Sequence, residues 1–403
     1  MIQAASEDVG RVLAWCADGS LARPGQGTVD LVELTRALAH HGGVDGLPVS
    51  SGGTRLIERL GAHDHYVFVL VDGLGWRLMH DLDHGRGGFL ASVAQGPIHA
   101  LFPSTTAVVL TSLATASYPS RHGITGWWTH FPEFGATAEV LPFVERFSKR
   151  PMGEFGATIG QAFPIPSILP RFRHHPLVIT RDYIVGSTYS RYWSGDCDGV
   201  AYHGIADGVD RVLAEVRSAR QPTYTHLYLN QLDALCHERG VHDRSVATLY
   251  DEIDRELGRL HAGLAGSARL VVSSDHGHVD RAQARFVTQD DPLMDLLRCP
   301  PSGEPRVPVF HVQPGQHGAF HAAFLERHGD LWALLTTAEL EELSLLGPGP
   351  LSERALAGFG DFVAIGPGAN TLHYNRPGHP SHPHAGVHGG LTPDELEVPL
   401  IVA

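Results

Sequence analysis

Asp233 and His237 stand four residues apart in Asn230-Gln231-Leu232-Asp233-Ala234-Leu235-Cys236-His237, so on a helical turn their side chains face the same way. That is the spacing of two groups that share a cation. Ser273-Ser274-Asp275-His276-Gly277-His278 sets an acid beside an imidazole at the end of an apolar run, where the two can reach one ion together. Val71-Asp72-Gly73-Leu74-Gly75-Trp76 places another acid ahead of glycines that permit a tight turn. Phe102-Pro103-Ser104-Thr105-Thr106 puts hydroxyls at the opening of the helix-compatible run Ala107–Ala116. A helix N-terminus stabilises both an anionic group and an ionised nucleophile. Gly386-Val387-His388-Gly389-Gly390 follows His373, His379, His382 and His384; its glycines let backbone and imidazole approach a buried ion, while most of the preceding histidines read as solvated loop. Each segment also has an ordinary reading: Asp-Gly as a turn, hydroxyls as helix caps, acids and histidines as solvated surface.

What must position these groups is legible in the apolar runs. Tyr66–Val71 is continuous, β-branched and aromatic, the composition of a strand buried on both faces of a parallel sheet, and Thr225–Leu229, Arg269–Ser273 and Glu397–Val402 are similar. Helix-like segments, including Asp207–Ser218 and Ser245–Leu264, lie between them. The alternation predicts an α/β fold with a mainly parallel sheet covered by helices. Four of the chemical segments then fall at or after the C-terminal ends of strands, where open α/β sheets bind ligands. Residues 1–60, with helical spacing over Val29–Leu38, are expected to form a helical leader packed on a main domain of residues 61–403. Two stretches that break the alternation, about 130–205 and about 283–375, are expected to be insertions over the sheet's edge.

Composition bounds the function. The 403 residues exceed one ordinary domain and are ample for a proper core. Lys and Arg total 30 against 44 Asp and Glu, a net charge of −14, which argues against a nucleic-acid-binding surface. An anionic substrate must therefore meet local positive charge; bound metal ions would supply it, and 27 histidines hint at them. Cys16, Cys197, Cys236 and Cys299 form no Cys-x-x-Cys pair, so neither a disulfide framework nor a thiolate zinc site is expected, and the compartment is expected to be reducing. With an acidic rather than basic start and no run of roughly 18 apolar residues, the expectation is a cytoplasmic protein without a membrane span.

In their order the segments resemble the type I phosphodiesterase/nucleotide pyrophosphatase branch of the alkaline phosphatase superfamily, over about residues 66–402. The shared pattern is an Asp-Gly strand end, a Phe-Pro-x-x-Thr turn followed by Tyr118-Pro119-Ser120-Arg121-His122-Gly123, then Asp-x-x-x-His, Asp-His-Gly and a late His-Gly. The resemblance implies a three-layer α/β/α sandwich with a mainly parallel central sheet and inserted cap segments. It implies two divalent metal ions, one surrounded by Asp72, Thr106, Asp275 and His276, the other by Asp233, His237 and His388. Thr106 matches the last position of the Pro-x-x-Thr turn and is the implied nucleophile. Arg121, His122 and His278 fall outside the implied ligand set, with His122 steadying the loop after the nucleophile helix. Carboxylate and imidazole ligands fit zinc first and also admit manganese or iron. One position departs: members acting on nucleotides usually carry Asn three residues after the nucleophile, and this chain has Val109, which weakens the nucleotide assignment.

The implied activity is hydrolysis of phosphate diesters or nucleotide pyrophosphates through a covalent phosphothreonine, on a small phosphate ester that includes nucleotides in its range. A phosphomonoesterase or phosphonate hydrolase on the same centre is the alternative; a monoesterase would want an additional Arg or Lys, and the motifs show none. A catalytically silent metal-binding protein is the alternative of another class, although it would have little reason to keep the nucleophile and all the ligands. A sulfatase is disfavoured because no Cys/Ser-x-Pro-x-Arg sequence occupies the nucleophile turn. Trp127 and Trp128 could stack on a nucleobase or aryl leaving group, or pack the inserted segment. Arg171, Arg173, His174 and His175 could meet a second phosphate, or form a solvated loop.

Overall fold

The computed structural model describes residues 6–25 and 27–403. Its main sheet has seven strands in the spatial order Ala94–His99, Glu397–Val402, Arg269–Ser273, His65–Val71, Thr223–Leu229, His175–Arg181 and Asp198–Tyr202. The last five run parallel, and Glu397–Val402 is antiparallel to both of its neighbours. In the strand His65–Val71 the two-residue period sends Tyr66, Phe68 and Leu70 into one core and Val67, Val69 and Val71 into another. Helices Leu31–His41 and Thr106–Thr115 contribute to the first core, Ile205–Ser218 and Arg244–Leu264 to the second. The result is the expected three-layer α/β/α sandwich. Arg244–Leu264 shows why such a segment is a helix: Val246, Tyr250, Ile253, Leu257, Leu260 and Leu264 recur on one buried stripe, and Asp243 caps its start.

The leader folds as three helices, Glu7–Ala17, Leu31–His41 and Ser51–Leu60, each capped by the side chain of the residue before it: Ser6, Asp30 and Ser50. Leu31, Leu34, Leu38, Leu56 and Leu60 are buried in the same core as the helix Thr106–Thr115. The expected insertions need correction. His175–Arg181 and Asp198–Tyr202, inside the stretch 130–205, extend the main sheet by two strands. His, Pro, Asp and Gly at their starts interrupt the apolar runs that would mark them. Segments of both stretches, with Trp128 and Thr129 just before the first, form a second, antiparallel sheet: Ala333–Thr336, Phe362–Ile365, Pro308–Phe310, Ser302–Gly303, Trp128–Phe131, Ala136–Glu139 and Val144–Glu145. One of its sides is filled by Phe310, Phe320, Phe324, Trp332 and Phe362. Among the described residues no helix is long and apolar enough to cross a membrane.

Candidate active site

The C-terminal ends of three adjacent parallel strands converge on one spot. Asp72 directly follows His65–Val71, Asp275 and His276 lie just past Arg269–Ser273, and Asp233 and His237 ride on the helix Gln231–Arg239 after Thr223–Leu229. Leu232 and Cys236 of that helix are buried in the core, and the acid and imidazole one position on share the neighbouring stripe. The turn after Asp72 requires glycine: Gly73 has φ 80°, and a Cβ there would lie 2.9 Å from His278 and 3.0 Å from the Asp233 backbone. At Gly277 a Cβ would meet the Asp394 carbonyl at 1.9 Å, so only glycine lets the strand end pass there.

Two groups of potential cation ligands result: Asp72, Asp275 and His276, all buried, and Asp233, His237, His278 and His388. Their separations link the groups: His276 Nε2 is 3.4 Å from Asp72, 3.5 Å from Asp275 and 4.0 Å from Asp233. Three imidazoles are oriented alike. The Nδ1 atoms of His237, His276 and His388 face the carbonyls of Gly386 (2.9 Å), Gly277 (3.1 Å) and Ser104 (3.0 Å). Only a protonated Nδ1 satisfies a carbonyl, so in the neutral ring each Nε2 offers a lone pair to the cluster, the arrangement that orients metal-binding histidines. His237 Nε2 and His388 Nε2 are 3.1 Å apart, a contact between two lone pairs that a cation would relieve. Asp72 Oδ1 and Asp275 Oδ2 are buried without hydrogen-bond partners. The donor set therefore fits divalent cations that accept nitrogen and oxygen ligands.

Electrostatics agrees. Burial, then the neighbouring Asp275 and Asp233, push the Asp72 carboxyl far above its ordinary range. For Asp233 burial opposes ionisation, but the neighbouring His237 and the hydrogen bond from His278 outweigh it and hold the group well below that range. Burial and the surrounding imidazoles hold His388 neutral. His278, outside the expected ligand set, joins the second group by position, yet its geometry differs. Its Nε2 is 2.6 Å from Asp233 Oδ1 and its Nδ1 is buried without a partner, so it orients the carboxylate by hydrogen bonding. Residues i and i+2 of an extended stretch share a side, the signal by which His276-Gly277-His278 could have been read.

Of the three consecutive hydroxyls, one faces the cluster. Ser104 donates to the Gly390 carbonyl at 2.7 Å and Thr105 to Glu304 at 2.7 Å, whereas Thr106 Oγ1 is 3.1 Å from His276 Nε2. Thr106 opens the buried helix Thr106–Thr115, and no side chain caps that end, so its first amides remain available to an anion. His122 bonds Ser112 Oγ and the Ile124 amide, tying the following loop to the helix. Val109 is fully buried in the core, so the departure there bears on packing rather than on the cavity wall. A cavity of about 400 Å³ opens beside Thr106, Asp72 and Asp233, and Trp127 lines it. Trp128 does not: it begins a strand, points to the other side, and packs under the Arg146 guanidinium at 3.9 Å. The basic patch is also elsewhere. Arg171 and Arg173 bond Asp45, and His175 starts its strand opposite Thr223, at the far end of the sheet from the cluster.

Residues 66–331 match the model of the family described as type I phosphodiesterase / nucleotide pyrophosphatase. The chain belongs to this family. Its members are metal-dependent hydrolases of phosphate esters, in keeping with the donor set above. Ectonucleotide pyrophosphatase/phosphodiesterase family member 1 of Mus musculus is 22% identical over 215 residues, 49% of this chain and 21% of that protein, so the match spans about a fifth of the relative's length. Among solved structures, murine ectonucleotide pyrophosphatase/phosphodiesterase 5 superposes with a TM-score of 0.60 at 14% identity, covering 83% of this chain and 87% of that one. An inactive threonine-to-alanine variant of the same murine protein has been solved in complex with AMP. Phosphonoacetate hydrolase from Sinorhizobium meliloti 1021, in complex with phosphonoformate, gives 0.61 at 19% identity, covering 84% and 89%. At these identities the structural likeness establishes the shared fold.

Proposed function

We propose that the chain hydrolyses phosphate diesters, nucleotide pyrophosphates included, through a covalent phosphothreonine on Thr106. The observation that carries this reading is that Thr106 alone of the three turn hydroxyls faces both the carboxylate and imidazole cluster and the cavity beside it. Asp72, Thr106, Asp275 and His276 would hold one divalent ion and Asp233, His237 and His388 a second, zinc being the first expectation. Bound there, such ions supply positive charge to the phosphoryl oxygens and acidify a ligated hydroxyl. The chain's own groups do the rest. The first-turn amides of the nucleophile helix face the phosphoryl group, and His278 keeps Asp233 oriented. The Thr106 oxygen bonds phosphorus as the ester oxygen opposite departs, and water then cleaves the phosphothreonine and restores the hydroxyl.

The alternatives divide on charge. A monoester dianion or a carboxylated phosphonate asks for a cationic side chain at the site, and none of the residues lining the cavity is Lys or Arg. A diester carries one negative charge and two organic groups, which suits an apolar wall. The test is hydrolysis of bis(p-nitrophenyl) phosphate against p-nitrophenyl phosphate on metal-replete protein. A diester preference is expected; a monoester preference would move the activity to the phosphatase class. Thr106→Ala is expected to lose turnover of either substrate by about a thousandfold or more while keeping its metal, and near-normal rates would remove Thr106 as nucleophile.

A further inference from the structure

In the second sheet, the hairpin formed by Ser302–Gly303 and Pro308–Phe310 ends in the tight turn Glu304-Pro305-Arg306-Val307. The Glu304 amide donates to the Val307 carbonyl (3.2 Å) and the Val307 amide to the Glu304 carbonyl (3.0 Å). The tip carries an acid and a base two residues apart, and both are buried, at 7% and 1% exposure. Neither belongs to the two groups of cation ligands. Each instead grips a turn that leads to the cluster. Glu304 accepts from Thr105, in the turn before Thr106, at 2.7 Å. Arg306 reaches Glu395, Nε to Oε1 at 2.9 Å and Nη2 to Oε2 at 2.6 Å, with Nη1 on the Asn370 carbonyl at 3.2 Å.

The same Glu395 carboxylate accepts from the Gly390 amide (2.9 Å) and from Thr392 Oγ1 (2.7 Å), so it holds the far end of the turn His388-Gly389-Gly390. That turn is strapped to Ser104 as well. The Ser104 amide donates to the Gly389 carbonyl (3.2 Å), Ser104 Oγ to the Gly390 carbonyl (2.7 Å), and His388 Nδ1 to the Ser104 carbonyl (3.0 Å). The bonds close a ring that runs from the hairpin tip through the turn before Thr106 and the His388 turn to Glu395 and back. Stability does not account for the ion pair in this ring. Its side chains are 1% and 0% exposed, and apolar residues of the same volume often serve a fold as well as a buried pair or better. What a bidentate pair delivers is direction: the planar guanidinium fixes the carboxylate, and the carboxylate fixes the Gly390 amide. Burial opposes ionisation of Glu395, but the Arg306 charge and its hydrogen bonds outweigh it and hold the carboxyl below its ordinary range.

We infer that Arg306 is a positioning residue: acting through Glu395 and Gly390, it holds the His388 imidazole in place for the cation shared with Asp233 and His237. The second sheet thereby sets the affinity of one of the two ion sites. This rests on the two-ion reading above. The other group is independent of the pair, because Asp72, Asp275 and His276 directly follow strands of the main sheet. Glu395 does touch that side, its carbonyl accepting from the Gly277 amide at 2.8 Å. That contact is made by backbone and survives replacement of the side chain.

The experiment titrates chelator-stripped protein with zinc by calorimetry and records the unfolding temperature of each metal-free protein. The proteins are wild type, Arg306→Met, Arg306→Lys and the double variant Arg306→Met with Glu395→Met. Wild type is expected to take up two zinc ions. Arg306→Met is expected to bind one as wild type does and the other at least about tenfold more weakly, the scale on which groups behind a ligand act. Arg306→Lys, which keeps a charge on Glu395 without the bidentate fork, should regain part of the loss. The double variant removes both buried charges, so its metal-free unfolding temperature should return close to that of wild type while one zinc stays weak. A merely structural role would restore metal binding together with stability. Unchanged zinc affinities in Arg306→Met, equal weakening of both ions, full recovery in the double variant, or a wild type that takes up fewer than two zinc ions would each overturn the proposal. Turnover of bis(p-nitrophenyl) phosphate is measured on the same preparations. A wild type that binds two zinc ions without turnover, with one selectively weakened in Arg306→Met, would sink the diester reading and leave the role of Arg306 standing.

Discussion

At the scale of single residues, the site depends on which neighbour takes which hydrogen bond. Glu304 is buried and accepts from both Thr105 Oγ1 (2.7 Å) and the Trp127 amide (2.6 Å), so one carboxylate ties the turn before Thr106 to Trp127 in the cavity wall. Burial raises its pKa, and those two donors work against the rise. Glu304→Ala is expected to lower kcat for bis(p-nitrophenyl) phosphate about tenfold, since a displaced nucleophile loses rate steeply, with bound metal unchanged by elemental analysis. An unchanged kcat would show that the tie is not needed. Trp127→Ala is expected to raise KM for aryl diesters several-fold, whereas Trp128→Ala should leave KM alone and lower the unfolding temperature, because its ring covers Arg146. The order of the motifs made Thr106 and six of the seven clustered acids and imidazoles legible, all but His278. The side each tryptophan faces was not, because adjacent residues entering a strand point oppositely and the sequence does not state the phase. Glu304 left no local signal, as its partners lie 199 and 177 residues away.

At the scale of elements, the leader helix Leu31–His41 carries a testable conflict. Asp30 caps it by accepting from the Glu33 amide at 3.0 Å, yet it is buried beside Tyr118. Desolvation, only partly offset by these bonds, raises its pKa to about 6. Between pH 4 and 6 the folded chain thus holds a proton on Asp30 that the unfolded chain has released. By linkage the group disfavours folding increasingly as pH rises through that window, by a cost on the order of 3 kcal/mol at full effect. Asp30→Asn keeps a capping oxygen without the charge. Its unfolding free energy in urea should match wild type near pH 4 and exceed it at pH 7, and a wild-type advantage at pH 7 would refute the burial argument. The elements themselves were legible where the apolar run was long: His65–Val71, Arg269–Ser273 and Glu397–Val402 are strands as read. His175–Arg181 and the second sheet were not, since that sheet pairs Trp128 with Gly303 across 175 positions and its short strands lack a period of their own.

At the scale of the whole molecule, the question is how a chain of net charge −14 comes to bury part of that negative charge together at the C-terminal ends of its central strands. Asp72 and Asp275 sit buried with unpartnered oxygens, and His237 and His388 present lone pairs to one another at 3.1 Å. Such a cluster weakens the fold unless a cation fills it, so metal binding should appear as stability and not only as activity. Chelator-stripped protein is expected to unfold at lower temperature than metal-replete protein, and added zinc or manganese should restore the loss by roughly 2.7 kcal/mol once free metal exceeds its dissociation constant about a hundredfold. Thr106→Ala should keep most of that gain, because the other six clustered side chains remain, whereas Asp233→Ala should lose much of it, because Asp233 lies within 4.0 Å of His237, His276 and His388. Differential scanning calorimetry with and without metal reads all three proteins. A wild-type chain indifferent to every divalent ion would mean that the fold tolerates buried Asp72 by protonating it, and would remove the metal-dependent hydrolysis proposed above.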